Sequence, residues 1–309
     1  MNTDTVTAAI PLGRIDNLPN SEYHASPALG VSKLKIFRHS PALYFGRFIS
    51  KTIPPPEPTP ALLFGSAAGA LILEGRSVYD TQYYTVPEGV GRVRKEDKET
   101  RATLEARNPG KQALNFADAV AIEQMNRNVH AHHLAGPLLA ACKPEITWRI
   151  RGEHFHVQVR TDAFSEEGCE VTEGVPFIAD LKTIAELPDD DPEVISRQIM
   201  TFAYHLQAVI YRSVVAEVLK FRDGFQPPFY FVFVAKEPPY AVKVVELDQT
   251  ALDLGFRQVS DTIHRLTECH KTGRWPLSWD DMSPTKKVPS VALPAYYLKR
   301  EMGETPLWG

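Results

Sequence analysis

Two acids and a lysine pose the chemical question of this chain. Asp162 closes an alternating stretch, His-Phe-His-Val-Gln-Val-Arg-Thr-Asp (154–162), while Asp180 and Lys182 lie in Pro-Phe-Ile-Ala-Asp-Leu-Lys-Thr (176–183). The alternation predicts two strands of a hairpin joined by a Glu- and Gly-rich bend. Residues two apart on a strand share a face, so Asp180 and Lys182 project together, and pairing brings Asp162 alongside them. Two carboxylates and an ammonium in one place suit a divalent cation and a phosphate, the requirements of metal-dependent phosphodiester cleavage. The bland alternative is an exposed strand ion pair, worth at most about 1 kcal/mol.

The elements that must position this cluster follow from patterning. Residues 1–20 read as loosely structured, and Ser32 as the cap of a short helix from Lys33 to about His39 that stops at Ser40-Pro41. The proline-rich segment 51–60 reads as an extended linker. The small and apolar run 63–74 reads as a closely packed buried helix, 88–111 as a charged loop or exposed helix, and 112–141 as one helix. Strands are expected at 145–151, 154–163 and 176–183. Asp189, Asp190 and Asp191 with Pro192 then start a helix to about Lys220, with Ile195, Ile199, Phe202, Leu206, Val209 and Ile210 as its apolar stripe. The wholly apolar run 228–235 reads as a buried strand, 241–247 as a returning strand, and 248–271 as an amphipathic helix closed by Gly273. Trp148 and Trp275 read as packing residues. The sum is a mixed sheet with flanking helices, α/β or α+β. It divides into a flexible start (1–20), one domain (21–275) with a charged insertion near 88–111, and a proline-interrupted tail (276–309).

Composition narrows the function classes. The 309 residues are 43% apolar and 23% charged, with 25 prolines, as expected for a globular chain with a sizeable core. No apolar run is long enough to span a bilayer and the N-terminus lacks a secretion-signal pattern, so a cytoplasmic, membrane-free protein is expected. Cys142, Cys169 and Cys269 lie far apart without a CxxC, which argues against a disulfide framework or a four-cysteine metal site. The net charge is −4, so any binding of nucleic acid requires locally concentrated positive charge. One source is Arg92, Arg94, Lys95, Lys98, Arg101, Arg107 and Lys111, for which the plain alternative is a solvated helix face.

A family resemblance rests on an ordered series. It runs Tyr23-His24, Ser32, Ser40-Pro41, Phe64-Gly65-Ser66-Ala67, Arg160-x-Asp162, Asp180-Leu181-Lys182-Thr183 and Tyr204-His205-x-Gln207-x-x-x-Tyr211. The series, over roughly residues 20–275, resembles the exonuclease VIII (RecE-type) nucleases of the PD-(D/E)XK superfamily, common in phages and prophages. The resemblance implies a central mixed sheet with the acids on its central hairpin. It also implies 5′→3′ degradation of one strand of linear double-stranded DNA from its ends, using magnesium or manganese. The single-stranded tails would serve homologous recombination with a single-strand annealing protein as partner, and relatives form ring-shaped homo-oligomers around DNA. In one departure, Gly69 stands where relatives carry a metal-contacting histidine, in a pattern like GTAxHAxxLE. His24, His39, His130, His132 and His133 are alternative imidazoles that nothing in the sequence selects between.

Roles follow from these residues together. Asp162 and Asp180 are expected as metal ligands, with the Leu181 backbone carbonyl as a third. Lys182 would orient or help deprotonate the attacking water and offset phosphate charge. Tyr204, Gln207 and Tyr211, at i, i+3 and i+7 of one helix, would line the DNA path and position the scissile phosphate. Glu145 is a further acidic candidate. Arg160 would hold a phosphate or, as the favoured reading, form a structural ion pair. His154 and His156 would share a solvated face with Gln158 and Asp162. Two competing functions remain: an endonuclease or end-trimming PD-(D/E)XK enzyme, and a catalytically impaired nuclease-like DNA-binding protein.

Overall fold

A computed structural model describes residues 10–191 and 193–277. The chain opens with β1 (Gly13–Ile15), α1 (Asn20–Ala25), α2 (Val31–His39) and α3 (Pro41–Tyr44), which runs into a π-helical turn (Phe45–Ile49). Next come α4 (Pro60–Gly69), a second π-helical turn (Ala70–Glu74), α5 (Arg76–Gln82), β2 (Tyr83–Thr85), α6 (Lys95–Arg107), β3 (Gln112–Leu114), α7 (Phe116–Ala131) and α8 (Ala135–Ala140). The remainder is β4 (Lys143–Arg151), β5 (His156–Ser165), β6 (Phe177–Ile184), α9 (Val194–Phe202), α10 (Tyr204–Leu219), β7 (Phe229–Ala235), β8 (Val242–Glu246) and α11 (Gln249–Thr272).

Six strands form one mixed sheet in the order β1-β4-β5-β6-β7-β8. All neighbours are antiparallel except β6 and β7, which run parallel with Asp180 opposite Phe231 and Lys182 opposite Phe233. The expected α/β architecture is therefore present. β7 is apolar throughout because both of its faces are covered: Phe231 and Phe233 pack in one core, Val232 and Val234 in the other. The first core also takes Trp148, Phe164, Leu206, Val214 and, from α2, Leu34 and Phe37. The second takes Phe177 and Leu181 from β6 with Phe64, Leu71, Ile122 and Met125 from the opposite helices. Each fully buried side chain of this size contributes about 1.5–3 kcal/mol. Trp275 stacks on Tyr44 and meets Phe37 edge-on, so both tryptophans singled out by sequence are packing residues.

Local signals explain several boundaries. Asp248 Oδ1 accepts the Ala251 N–H at 2.7 Å to start α11, and Gly273, at φ 66°, ends it in the left-handed region. Ser40 both ends α2 and caps α3, accepting the Leu43 N–H, with Pro41 at the first helical position.

Other expectations need correction. Residues 13–15 are not loose but pair with β4. α2 begins at Val31 after Gly30, and Ser32 does not cap it. The helix expected over 112–141 is a strand and two helices, broken where His132 Nδ1 accepts the N–H groups of Leu134 and Ala135. The helix expected to reach Lys220 is also two, because Ala203 adopts a left-handed conformation (φ 50°). Asp191 accepts the Glu193 N–H, but no side chain caps α9, and Pro192 lies outside the described residues. Most of the proline-interrupted tail also lies outside them. The charged stretch forms α6, none of whose residues is buried. Among the described residues, no helix is long and apolar enough to cross a membrane.

Candidate active site

The site begins with a fault in the sheet. The β4–β5 register pairs Pro144 with Ala163 and Ile146 with Thr161, stepping over Glu145 and Asp162, and Glu145 takes a φ of 53°. Val159 and Phe164 are five positions apart, so an uninterrupted strand would point them to opposite faces. Yet both pack in the core around Trp148, Val159 directly across from it and Phe164 with its ring centroid 5.0 Å away. The strand therefore turns over at the fault. Asp162 falls on the same face as Asp180 and Lys182, rather than on the face that alternation from Val159 would give it. Beyond Ala163–Ala179 the β5–β6 ladder stops, and the Asp162 side chain takes over: its Oδ2 accepts the Leu181 N–H at 3.0 Å.

Asp180 is 1% exposed and Lys182 16%. Gln207 Nε2 donates to Asp180 Oδ1 at 2.6 Å, and Lys182 Nζ stands 2.5 Å from Oδ2. Oδ2 is buried, with the Lys182 ammonium as its immediate neighbour. Burial, followed by the negative charge of Asp180, holds the Asp162 carboxyl well above the usual carboxylate range, against the pull of Lys182. Burial alone would lower the Lys182 pKa; the charges of Asp180 and Asp162 outweigh it and raise the pKa, so Lys182 is an ammonium here.

Around this centre lie the weaker candidates. Burial pushes the Glu145 carboxyl up to about 7, although Arg160 Nη1 is 3.6 Å away. Arg160 also donates to Thr147 Oγ1, Asn20 Oδ1 and the Leu18 carbonyl, and sits 4.2 Å from the Tyr23 ring centroid. It therefore ties the α1 segment to the sheet, matching the structural ion pair favoured by sequence. Tyr211 packs edge-on to Phe229; burial raises its pKa well above the ordinary value, and it senses Tyr23, Asp180, Asp162 and Glu145. The Tyr204 ring has Lys182 Nζ 4.7 Å from its centroid. The stripe of Tyr204, Gln207 and Tyr211 does converge on the acids.

Other residues are not gathered there. His154 precedes β5, and the expected solvated face is instead buried: Gln158 and Arg160 are enclosed, with Arg149 Nε donating to Gln158. His130 donates to the Ile72 carbonyl and His132 serves its helix break, so both have structural partners. Arg101 of α6 donates to the Gly91 and Val90 carbonyls, and Arg94 and Lys95 pair with acids of their own helix, in keeping with a mixed-charge surface. Gly69 ends α4, on which Gly65 faces Thr183, and a Cβ on Gly69 would meet nothing within 4 Å.

Sequence reasoning gave no role to Glu74 or Lys35. Glu74 closes the second π-helical turn before Gly75 (φ 90°), and its carboxyl interacts with Glu145 and Arg160. Its signal was a lone acid ending a 12-residue small and apolar run. Lys35 sits on α2 with no such signal.

Among the described residues, no group of three or more His, Cys, Asp and Glu side chains forms a ready-made metal cage. A magnesium-type ion does not require one, since it keeps several waters and needs one or two carboxylates. Asp162 and the buried Asp180, beside Lys182, fit such an ion, and Glu145 is near enough to interact with Asp162.

Comparison with known proteins bears on the fold and the family. No curated protein matches the chain in sequence. Among solved structures, a protein of Eubacterium rectale described as a candidate exonuclease superposes with a TM-score of 0.57. The match covers 93% of this chain and 98% of that one at 13% identity, so what the two share is the fold. The sequence profile of the PDDEXK-like domain of unknown function DUF3799 matches residues 30–283, which span every strand from β4 to β8 and all the candidate site residues. The chain belongs to this PDDEXK-like family, and its mixed sheet flanked by helices is of the PD-(D/E)XK type.

Proposed function

We propose that this protein is a metal-dependent exodeoxyribonuclease of the RecE type, degrading linear double-stranded DNA 5′→3′ and leaving single-stranded tails for recombination. The observation that supports the reading is the convergence of Asp162, Asp180 and Lys182, with Gln207 and Lys182 both meeting the buried Asp180 carboxylate. Asp162, Asp180 and the Leu181 carbonyl would hold the ion, with Glu145 in reserve. When bound, magnesium or manganese supplies charge neutralisation on the phosphate and a more acidic water. Gln207 keeps the Asp180 carboxylate oriented, Lys182 offsets charge on the phosphate, and the protonated Tyr211 phenol is a donor facing the same space. A single-strand annealing protein as partner and a ring-shaped homo-oligomer around DNA complete the proposal, together with a cytoplasmic location.

The test is digestion of end-labelled linear duplex and closed circular duplex with magnesium or manganese. Wild type shortens the linear DNA from its 5′ ends and spares the circle, while Asp180→Ala and Lys182→Ala fold but do not cleave. Undiminished cleavage by either variant rejects the site, and nicking of the circle favours an endonuclease. Gly69 supports a second reading, a nuclease-like protein impaired in turnover, which binding without loss of label in either metal would favour.

A further inference from the structure

Beside the acids, an aromatic column runs from the sheet to the surface. Tyr204 stacks on Phe231 (5.8 Å between centroids, 29° between planes) and Phe202 stacks on Tyr204 (5.6 Å, 18°). Phe231 is fully buried, whereas Phe202 is 50% exposed and its neighbour Met200 71%. The apolar stripe expected from sequence included Phe202, but the helix break at Ala203 interrupts the periodicity and turns this ring outward. Ala203 itself is in the left-handed region (φ 50°), costing about 1–2 kcal/mol for a non-glycine residue. Strain of this kind beside a candidate active site motivates a functional reading.

Lys35 fixes the same bend from another element. Its Nζ donates to the Phe202 carbonyl at 2.6 Å and lies 5.4 Å from the Tyr204 ring centroid, beside Lys182. Among the described residues it forms no ion pair with a carboxylate, and its acceptor is a neutral carbonyl. Burial and the nearby Lys182 ammonium lower its pKa to about 8. A half-buried ammonium whose hydrogen-bond acceptor is a neutral carbonyl, next to an outward-facing stacked ring, matches what a nucleotide offers: a phosphate and a flat base. Non-sequence-specific strand binding uses these two contacts, backbone cations and aromatic platforms.

We propose that Phe202 and Lys35 form a nucleotide ledge, Phe202 stacking on one unpaired base of the strand being cut and Lys35 taking an adjacent phosphate. The ledge rests on the nuclease reading and specifies its substrate as a strand whose end is unpaired at the site. Base–aromatic stacking is worth about 1–3 kcal/mol per base, equivalent to roughly 5- to 150-fold in affinity.

The experiment uses a labelled duplex with a short single-stranded end, in which one base-less nucleotide is stepped along that end. Binding is read by fluorescence anisotropy in calcium and cleavage in magnesium. Wild type should lose roughly 5- to 150-fold in affinity at one position of the missing base. Phe202→Ala should show that loss on intact DNA and none further at that position, while Phe202→Tyr retains wild-type behaviour. Lys35→Gln should shallow the dependence of log affinity on log salt by about 0.7, one single-strand phosphate contact. The ledge is overturned if folded Phe202→Ala binds intact DNA like wild type, or if it keeps the wild-type sensitivity to the missing base. Wild type that neither binds nor cleaves any of these DNAs would instead overturn the nuclease reading beneath it.

Discussion

Replacing Gln207 with leucine tests whether the Asp180 side chain is held in place by a neighbour that does no chemistry itself. Gln207 is buried and leucine has nearly its volume, so little cavity results. What disappears is the 2.6 Å hydrogen bond to Asp180 Oδ1. Lys182 Nζ remains 2.5 Å from Oδ2, but Oδ1 of a 1% exposed carboxylate would be without a donor. A hydrogen bond to a charged group is worth about 1.5–3 kcal/mol, which at about 2 °C per kcal/mol for a chain of this size lowers Tm by roughly 3–6 °C. Thermal unfolding without divalent metal reads this directly. Loss of a group that orients a ligand typically costs about 10–100-fold in metal affinity or activity, so digestion of linear duplex should slow by that order. The specificity check is a double-mutant cycle: with Asp180→Asn in place, Gln207→Leu should cost less, with a coupling of at least about 0.5 kcal/mol. An unchanged Tm and rate, or an equal cost in both backgrounds, would show that this bond holds nothing of consequence.

Two further outcomes are expected. Glu145 is raised from an unfolded value near 4.5 to about 7, so between those values the native state holds a proton the unfolded chain has released. The Glu145 contribution to stability of the metal-free protein should therefore fall as pH rises from about 4.5 to 7, and Glu145→Gln should flatten that segment of a Tm-against-pH curve. Gly69→His places an imidazole where a Cβ would meet nothing within 4 Å; it should fold with little change in Tm and increase cleavage or metal affinity, measured by metal titration, if a missing ligand limits the site. No gain would mean another group already fills that role.

Some of this molecule could be read one residue after another, and some could not, for a physical reason. β7 was visible because a strand buried on both faces must be apolar throughout, and α11 because Asp248 and Gly273 punctuate an unbroken amphipathic repeat. Asp180 and Lys182 were legible as a pair because alternation within β6 holds, with Ile178 and Ile184 continuing their face in the first core. Asp162 was reached through hairpin pairing, which the antiparallel β5–β6 ladder contains, while the alternation that grouped it with Gln158 does not carry through. Counted from Val159, alternation directs Asp162 away from Asp180, and only the fault at Glu145 and Asp162 returns it. Ala203 likewise breaks the helical period that placed Phe202 inside. In both cases a non-glycine residue sits in the left-handed region at about 1–2 kcal/mol, and both lie beside the same pair of acids. Local propensity disfavours each distortion, so tertiary packing must hold them, and no periodic pattern in the sequence announces a departure from periodicity. The fault and the bend are thus the parts of the fold most directly connected to the site: one brings the second acid to the face of Lys182, and the other presents an aromatic ring beside it.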